Sequence, residues 1–210
     1  MKKFFLIAIP LILLMTSLYI GKVYAPISWE PENKKENLYP PKWLLKADSA
    51  RTFVNSKNLN SEFCILIDMS VHSGKKRLFI WDFKQNKPIY SGLCCHGSGQ
   101  GSTCKTPVFS NTPDSHCTSL GKYKTGIRSY SKWGINIHYK LHGLEKSNDN
   151  AFKRYIVLHS FKPVPDNEIY PVHIPLGFSH GCPVISNSMM STIDSLLQKQ
   201  EKPTLLWIFN

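Results

Sequence analysis

The residue types for covalent chemistry gather in Phe178-Ser179-His180-Gly181-Cys182-Pro183, where a thiol follows a flexible glycine and two polar side chains. Upstream, the apolar run Arg154-Tyr155-Ile156-Val157-Leu158 ends in His159-Ser160. A free thiol is mostly protonated near neutral pH, and the thiolate is the attacking species. A nearby histidine, above all as imidazolium, lowers the thiol pKa and carries protons. These residues point to Cys182 as nucleophile and His159 as its base. Either Ser160 or the backbone of the His159-Ser160 pair would orient the imidazole, since a third group normally fixes the tautomer. Backbone N–H groups around Gly181 and Cys182 would face the oxyanion that forms on an attacked carbonyl. His180 is the rival base, or it fixes the loop. The competing reading is a buried or disulfide-bonded structural cysteine beside ordinary histidines.

Short runs rich in β-branched and aromatic residues must position this pair. Strands are expected at Phe63–Asp68, Arg77–Asp82, Ile89–Cys95, Leu120–Gly126, Gly134–Tyr139, Arg154–His159 and Thr204–Phe209. His159 then sits at a strand end before a proline-rich excursion from Pro163 to Pro175, a rigid mount for a base. Pro41 opens an expected helix to about Lys57, with Trp43, Leu44, Ala47, Ala50 and Val54 as its apolar stripe. Ser186 or Asn187 would cap a second helix carrying Met190, Ile193, Leu196 and Leu197. His138 and His142 could contact substrate or be structural. His96-Gly97-Ser98-Gly99-Gln100-Gly101-Ser102 lacks the Gly-Lys-Ser/Thr ending of a phosphate-cradling loop. It is expected to be a flexible loop or the rim of a cleft.

Residues 4–20 are almost wholly apolar and follow Met1-Lys2-Lys3, as in a secretory signal, with cleavage near Val23-x-Ala25. An uncleaved N-terminal anchor in the membrane is the alternative. The expected organisation is a signal or anchor over 1–25, a proline-rich tether and short helix over 26–61, and a catalytic domain over 62–210. The 210-residue chain has a net charge of +12, and removing residues 1–25 takes away three lysines and leaves +9. That charge suits an anionic wall polymer or membrane surface. The export signal, and the lack of a compact arginine-lysine patch, argue against nucleic acid. The cysteines are Cys64, Cys94, Cys95, Cys104, Cys117 and Cys182. In an exported protein one or two disulfides are expected within Cys94–Cys117. A zinc site using these thiols with His96 or His116 is the weaker alternative, because the spacings match no usual pair-and-pair arrangement.

The ordered motifs resemble the YkuD-type L,D-transpeptidase catalytic domain, the cysteine enzymes of peptidoglycan remodelling. The sharpest match is Ser179-His180-Gly181-Cys182 after His159-Ser160. A closer likeness, over about residues 62–209, is to a murein L,D-transpeptidase-like branch with a Gly-Cys-Pro motif. It runs through Cys95-His96-Gly97, Phe109-Ser110-Asn111, Ser119-Leu120-Gly121-x-Tyr123, Leu141-x-Gly143-Leu144-Glu145 and Asn148-x-Asn150-Ala151. The resemblance implies a mainly β fold, a YkuD-like β-sandwich with short peripheral helices. It implies Cys182 as acyl-enzyme nucleophile, His159 as base and Ser160 in its support. Ser179, His180 and Gly181 would shape the pocket and oxyanion region. The thiolate would cleave the meso-diaminopimelate–D-alanine bond of a tetrapeptide stem, and an amine would resolve the thioester. Water as acceptor would give a carboxypeptidase, and loss of turnover a wall-binding protein. The partners implied are peptidoglycan peptide stems in the periplasm or cell envelope, and the chemistry requires no metal or organic cofactor. Two departures stand out. Val184 replaces the arginine that many relatives carry two positions after the cysteine, and Ser160 replaces the glycine common in the closer branch.

Overall fold

In strand β1, Phe63–Asp68, alternate side chains go to opposite faces of the sheet, and both faces are covered. Phe63, Ile65 and Ile67 enter one apolar cluster, while Cys64 and Leu66 enter another. The structure, a computed structural model, describes residues 39–210. The expected export segment over 1–25, and the tether as far as residue 38, lie outside the described residues.

The remaining strands are β2 Leu78–Asp82, β3 Lys87–Gly92, β4 Gly121–Tyr130, β5 Ile137–Gly143, β6 Val157–Ser160, β7 Val184–Ile185 and β8 Leu205–Phe209. They form one eight-stranded sheet in the order β3-β2-β1-β8-β4-β5-β6-β7. The β1–β8 and β6–β7 pairs are parallel and the others antiparallel. Cys95, just past β3, bridges Val184 of β7, with its N–H 2.8 Å from Val184 O. The two edges of the sheet therefore meet, and the sheet curls into a near-barrel. The protein is mainly β, as the sequence implies.

Two helices cover the faces. Helix α1, Pro41–Ser56, begins with proline at its first turn, where a missing N–H costs no intrahelical bond. Its buried Ala47, Ala50 and Val54 pack with Cys64, Leu66, Trp81 and Phe209. Asp68 at the end of β1 ties this helix down, accepting from Lys42 Nζ at 3.1 Å and Trp43 Nε1 at 2.9 Å. Helix α2, Asn187–Leu197, is capped by Ser186 Oγ, which accepts from Met189 N. Its Met190, Ile193 and Leu197 enter the other cluster, with Tyr123, Leu141, Leu158 and Ile208. Fully burying a side chain of the size of Ile193 contributes about 1.5–3 kcal/mol. No described helix is long and apolar enough to cross a membrane.

Three expectations need correction. All six thiols are free, so the expected disulfides are not formed. In the extended stretch past β3, Cys94 lies in the α2-side core while Cys95 packs with Val164, Ile174 and Val184. The glycine-rich loop is not a flexible rim. His96 is buried and accepts from Arg77 Nη2 at 3.1 Å, while its Nε2 donates to Thr103 O at 2.8 Å. Gly97 and Gly99 lie so close to the 115–118 backbone that a Cβ on either would collide with it. Finally, Gly134 and Ile135 belong to a tight connection rather than a strand. Gly134 has φ +60° and Asn136 N donates to Trp133 O at 3.1 Å.

Candidate active site

The short parallel pair β6–β7 builds the site. Its register sets His159 beside Val184 and Ser160 beside Ile185. Cys182, two residues before Val184, therefore falls next to Val157, two residues before His159. The Val157 N–H points at Cys182 Sγ, 3.4 Å away. Val157 and His159 share a face of β6 by strand alternation. Both line a cavity of about 560 Å³ with Cys182, Ser179 and His180. The chain thus brings the expected thiol and imidazole to one cavity from segments distant in sequence.

His159 is buried, and its Nδ1 lies 3.0 Å from Ser160 O. A carbonyl only accepts, so Nδ1 carries the proton and, in the neutral ring, Nε2 is the open acceptor. Ser160 acts on the imidazole through its carbonyl; its hydroxyl instead accepts from Ile135 N at 3.1 Å. Across the β5–β6 pair, His159 stands opposite His138. Burial lowers the His159 pKa, the Ser160 carbonyl opposes that, and His138 lowers it further. Burial likewise raises the Cys182 thiol, against the Val157 N–H and the charges of Arg154 and Lys140. Both shifts favour a neutral thiol beside a neutral imidazole, rather than a preformed thiolate–imidazolium pair.

The turn that presents the thiol is held from within. Ser179 Oγ accepts from Gly181 N at 3.0 Å and donates to Cys182 O at 2.6 Å. The Gly181 N–H, expected to face an oxyanion, is therefore engaged by Ser179. The Cys182 N–H has no protein partner among the described residues. Gly181 adopts φ +106°, and a Cβ there would sit 2.6 Å from Cys117 O and 3.0 Å from Arg154 Nη2. Only glycine accepts both the dihedral and the approach. His180 is exposed, its ring stacked on His116 with centroids 4.3 Å apart.

Several motif residues serve as a scaffold behind this turn. Arg154 donates to Ser110 O at 3.0 Å, Ser119 Oγ at 3.3 Å and Cys117 O at 2.5 Å. Tyr123 donates to Ser119 O at 2.6 Å, and Asn150 to Asn111 O at 3.1 Å. Glu145 accepts from the Lys122 N–H at 2.7 Å, and Asn148 donates to Lys122 O at 2.8 Å. Val184 is fully buried between His159 and Cys95, so the position has no room for an arginine aimed at substrate. Arg128 is turned to Asp194, at 2.7 and 3.1 Å.

Sequence reasoning did not single out the aromatic walls. Trp133 meets Phe161 edge-on at 5.5 Å, and Phe161 meets Phe178 at 5.2 Å. His138 was left undecided by sequence and proves to line the cavity. The alternation His138, Lys140, His142 between core residues was the available signal. Among the described residues, no group of three or more His, Cys, Asp or Glu side chains is arranged to hold a metal ion.

A family model for the L,D-transpeptidase catalytic domain (YkuD_2) matches residues 35–208, and the chain belongs to that family. Among solved structures, it is similar to an L,D-transpeptidase from Xylanimonas cellulosilytica, at 13% identity and TM-score 0.38, covering 75% of this chain and 68% of that one. It is also similar to the helical cell shape determining protein Pgp2 of Campylobacter jejuni, at 10% identity and TM-score 0.45, covering 79% and 55%. A third is a fused Zn-dependent amidase/peptidase/peptidoglycan-binding protein from Clostridium acetobutylicum, at 16% identity and TM-score 0.37, covering 81% and 63%. The chain thus spans little more than half the length of the Campylobacter structure. At these scores the structural likenesses add nothing to the family assignment. No curated protein matches the chain.

Proposed function

We propose that this protein is an exported peptidoglycan L,D-transpeptidase of the Gly-Cys-Pro branch, with Cys182 as nucleophile and His159 as general base. The observation that carries the reading is the β6–β7 register, with Cys182 beside Val157 and a base of fixed tautomer two residues further on. Family membership supports enzymatic activity.

As Sγ attacks the carbonyl carbon of the meso-diaminopimelate–D-alanine bond, its proton passes to His159 Nε2. The Cys182 N–H is the donor proposed for the oxyanion, which Gly181 N–H is not free to serve. The C–N bond then breaks, and His159 returns the proton to the departing D-alanine amine. This leaves a thioester on Cys182. An acceptor amine attacks next, His159 removes its proton, and the thiol leaves reprotonated. Water in place of the amine gives carboxypeptidase chemistry on the same residues. Ser179 and Gly181 hold the nucleophile's turn, and Ser160 orients the base through its carbonyl.

Mass spectrometry of muropeptides treated with wild type and with Cys182→Ala tests the proposal. New cross-links made only by the wild type support transpeptidation, while shortened stems alone support hydrolysis. Unchanged muropeptides with both proteins would favour a non-catalytic wall-binding role.

A further inference from the structure

Strand β5 carries a basic row along the face that holds the reacting residues. Residues two apart project to the same side, so His138, Lys140 and His142 share a face while Tyr139 and Leu141 fill the core. Register pairs Lys140 with Val157, the residue whose N–H touches Cys182 Sγ. Aromatic rings hold the row in place. Lys140 Nζ lies 3.6 Å from the Tyr155 ring centroid and 4.8 Å from that of Phe152. His142 stacks on Phe152 at 5.2 Å, and His138 meets Tyr155 edge-on at 6.0 Å. Tyr155 itself lines the cavity and is 63% exposed, so this ring joins the lysine to the cavity wall.

The charges of Arg154 and Lys140 lower the Cys182 thiol pKa against the larger effect of its burial. The Arg154 guanidinium is engaged by backbone carbonyls and Ser119. Lys140 forms no ion pair among the described residues, where the ion pairs are Lys42–Asp68, Lys122–Glu145 and Arg128–Asp194. Burial lowers its pKa, and the charge of Cys182 pulls the other way. An ammonium held against two rings on the strand next to the one that meets the thiol, with three donors and no internal acid, is suited to an anionic group on the substrate.

We infer that Lys140 binds a carboxylate of the peptide that acylates Cys182, so that the enzyme selects free-acid stems over amidated ones. This rests on the functional reading above and names the chemistry that reading leaves open. The carboxylate is either the terminal one of the leaving residue or the one on the side chain of the third residue.

The test is binding by full-length Cys182→Ala, with and without Lys140→Gln or Lys140→Arg, titrated with three synthetic tetrapeptide stems. One carries both free acids, one is amidated at its terminus and one at the third residue's side-chain carboxylate. Lys140→Gln should weaken binding of the free-acid stem about tenfold, as expected for losing a hydrogen bond between charged groups. The loss should vanish for one amidated stem, which identifies the carboxylate, and Lys140→Arg should restore most of the affinity. Equal losses on all three stems, no loss on any, or no binding by the parent would overturn the inference. Carboxylate-dependent binding without D-alanine release by the wild type would leave the inference standing and overturn the functional reading.

Discussion

His159 is oriented by the residue that follows it: its Nδ1 lies 3.0 Å from the carbonyl oxygen of Ser160. One short strand thus supplies both the proposed base and the group that fixes its tautomer. The restraint needs no carboxylate, and burial outweighs the carbonyl's pull toward the charged ring.

That electrostatic state predicts a pH profile. Burial first, and His138 with it, hold the His159 pKa below the ordinary histidine value, against the pull of the Ser160 carbonyl. Acylation should therefore be lost on acidification only below about pH 6.5, as His159 gains its proton. His138→Gln removes a neighbouring positive charge, so His159 protonates more readily and the acid limb should move to higher pH. Stopped-flow acylation from pH 4 to 8 measures both limbs. An unmoved limb in the variant, or a wild-type limb above pH 6.5, would refute the assignment.

Ser179→Ala should loosen the turn that carries the proposed nucleophile. It deprives the Gly181 N–H and the Cys182 carbonyl of one shared partner inside a buried segment. Leaving such groups unsatisfied costs about 1–3 kcal/mol. Urea unfolding should show that loss, and the acylation rate should fall with it. An unchanged midpoint would mean that the turn is held by other contacts.

Asp194 couples helix α2 to the strand that carries His138. Its carboxylate accepts from Arg128 and from Tyr139 Oη at 2.7 Å. Arg128 holds the Asp194 pKa below its usual value, against burial and with help from Tyr139 and Gln198. A lowered folded pKa stabilises above the unfolded value, about pH 4, and that contribution fades as pH falls through the folded value. Asp194→Ala should cost about 1–3 kcal/mol at pH 7, since the buried Tyr139 hydroxyl loses its acceptor. Unfolding curves should show the gap to wild type narrowing below pH 4. A gap independent of pH would contradict the ion-pair account.

Much of the β framework was legible because its strands alternate or run apolar over short stretches. Phe63–Asp68 has the expected bounds, and helices starting at Pro41 and Asn187 follow from proline placement and serine capping. Strand β7 escaped notice, because two residues, Val184 and Ile185, carry no period to detect. Yet this short strand sets the register that brings Cys182 beside Val157. The chemistry-bearing residue types were visible, but their partners were not. That Ser160 acts through its carbonyl and Ser179 ties up the Gly181 N–H are facts of backbone geometry. Arg154 illustrates the same limit, since nothing in the sequence marks it as the brace that joins Ser110 to the Cys117–Ser119 stretch.

The central claim is a thioester on Cys182. Intact-protein and peptide mass spectrometry after mixing wild type with a tetrapeptide stem, quenched in acid, observes it directly. The account predicts an adduct with the mass of the stem less its terminal D-alanine, located on the peptide containing Cys182. The adduct should be absent from Cys182→Ala and strongly reduced in His159→Ala. An adduct on another of the six cysteines, or normal acylation of His159→Ala, would contradict it.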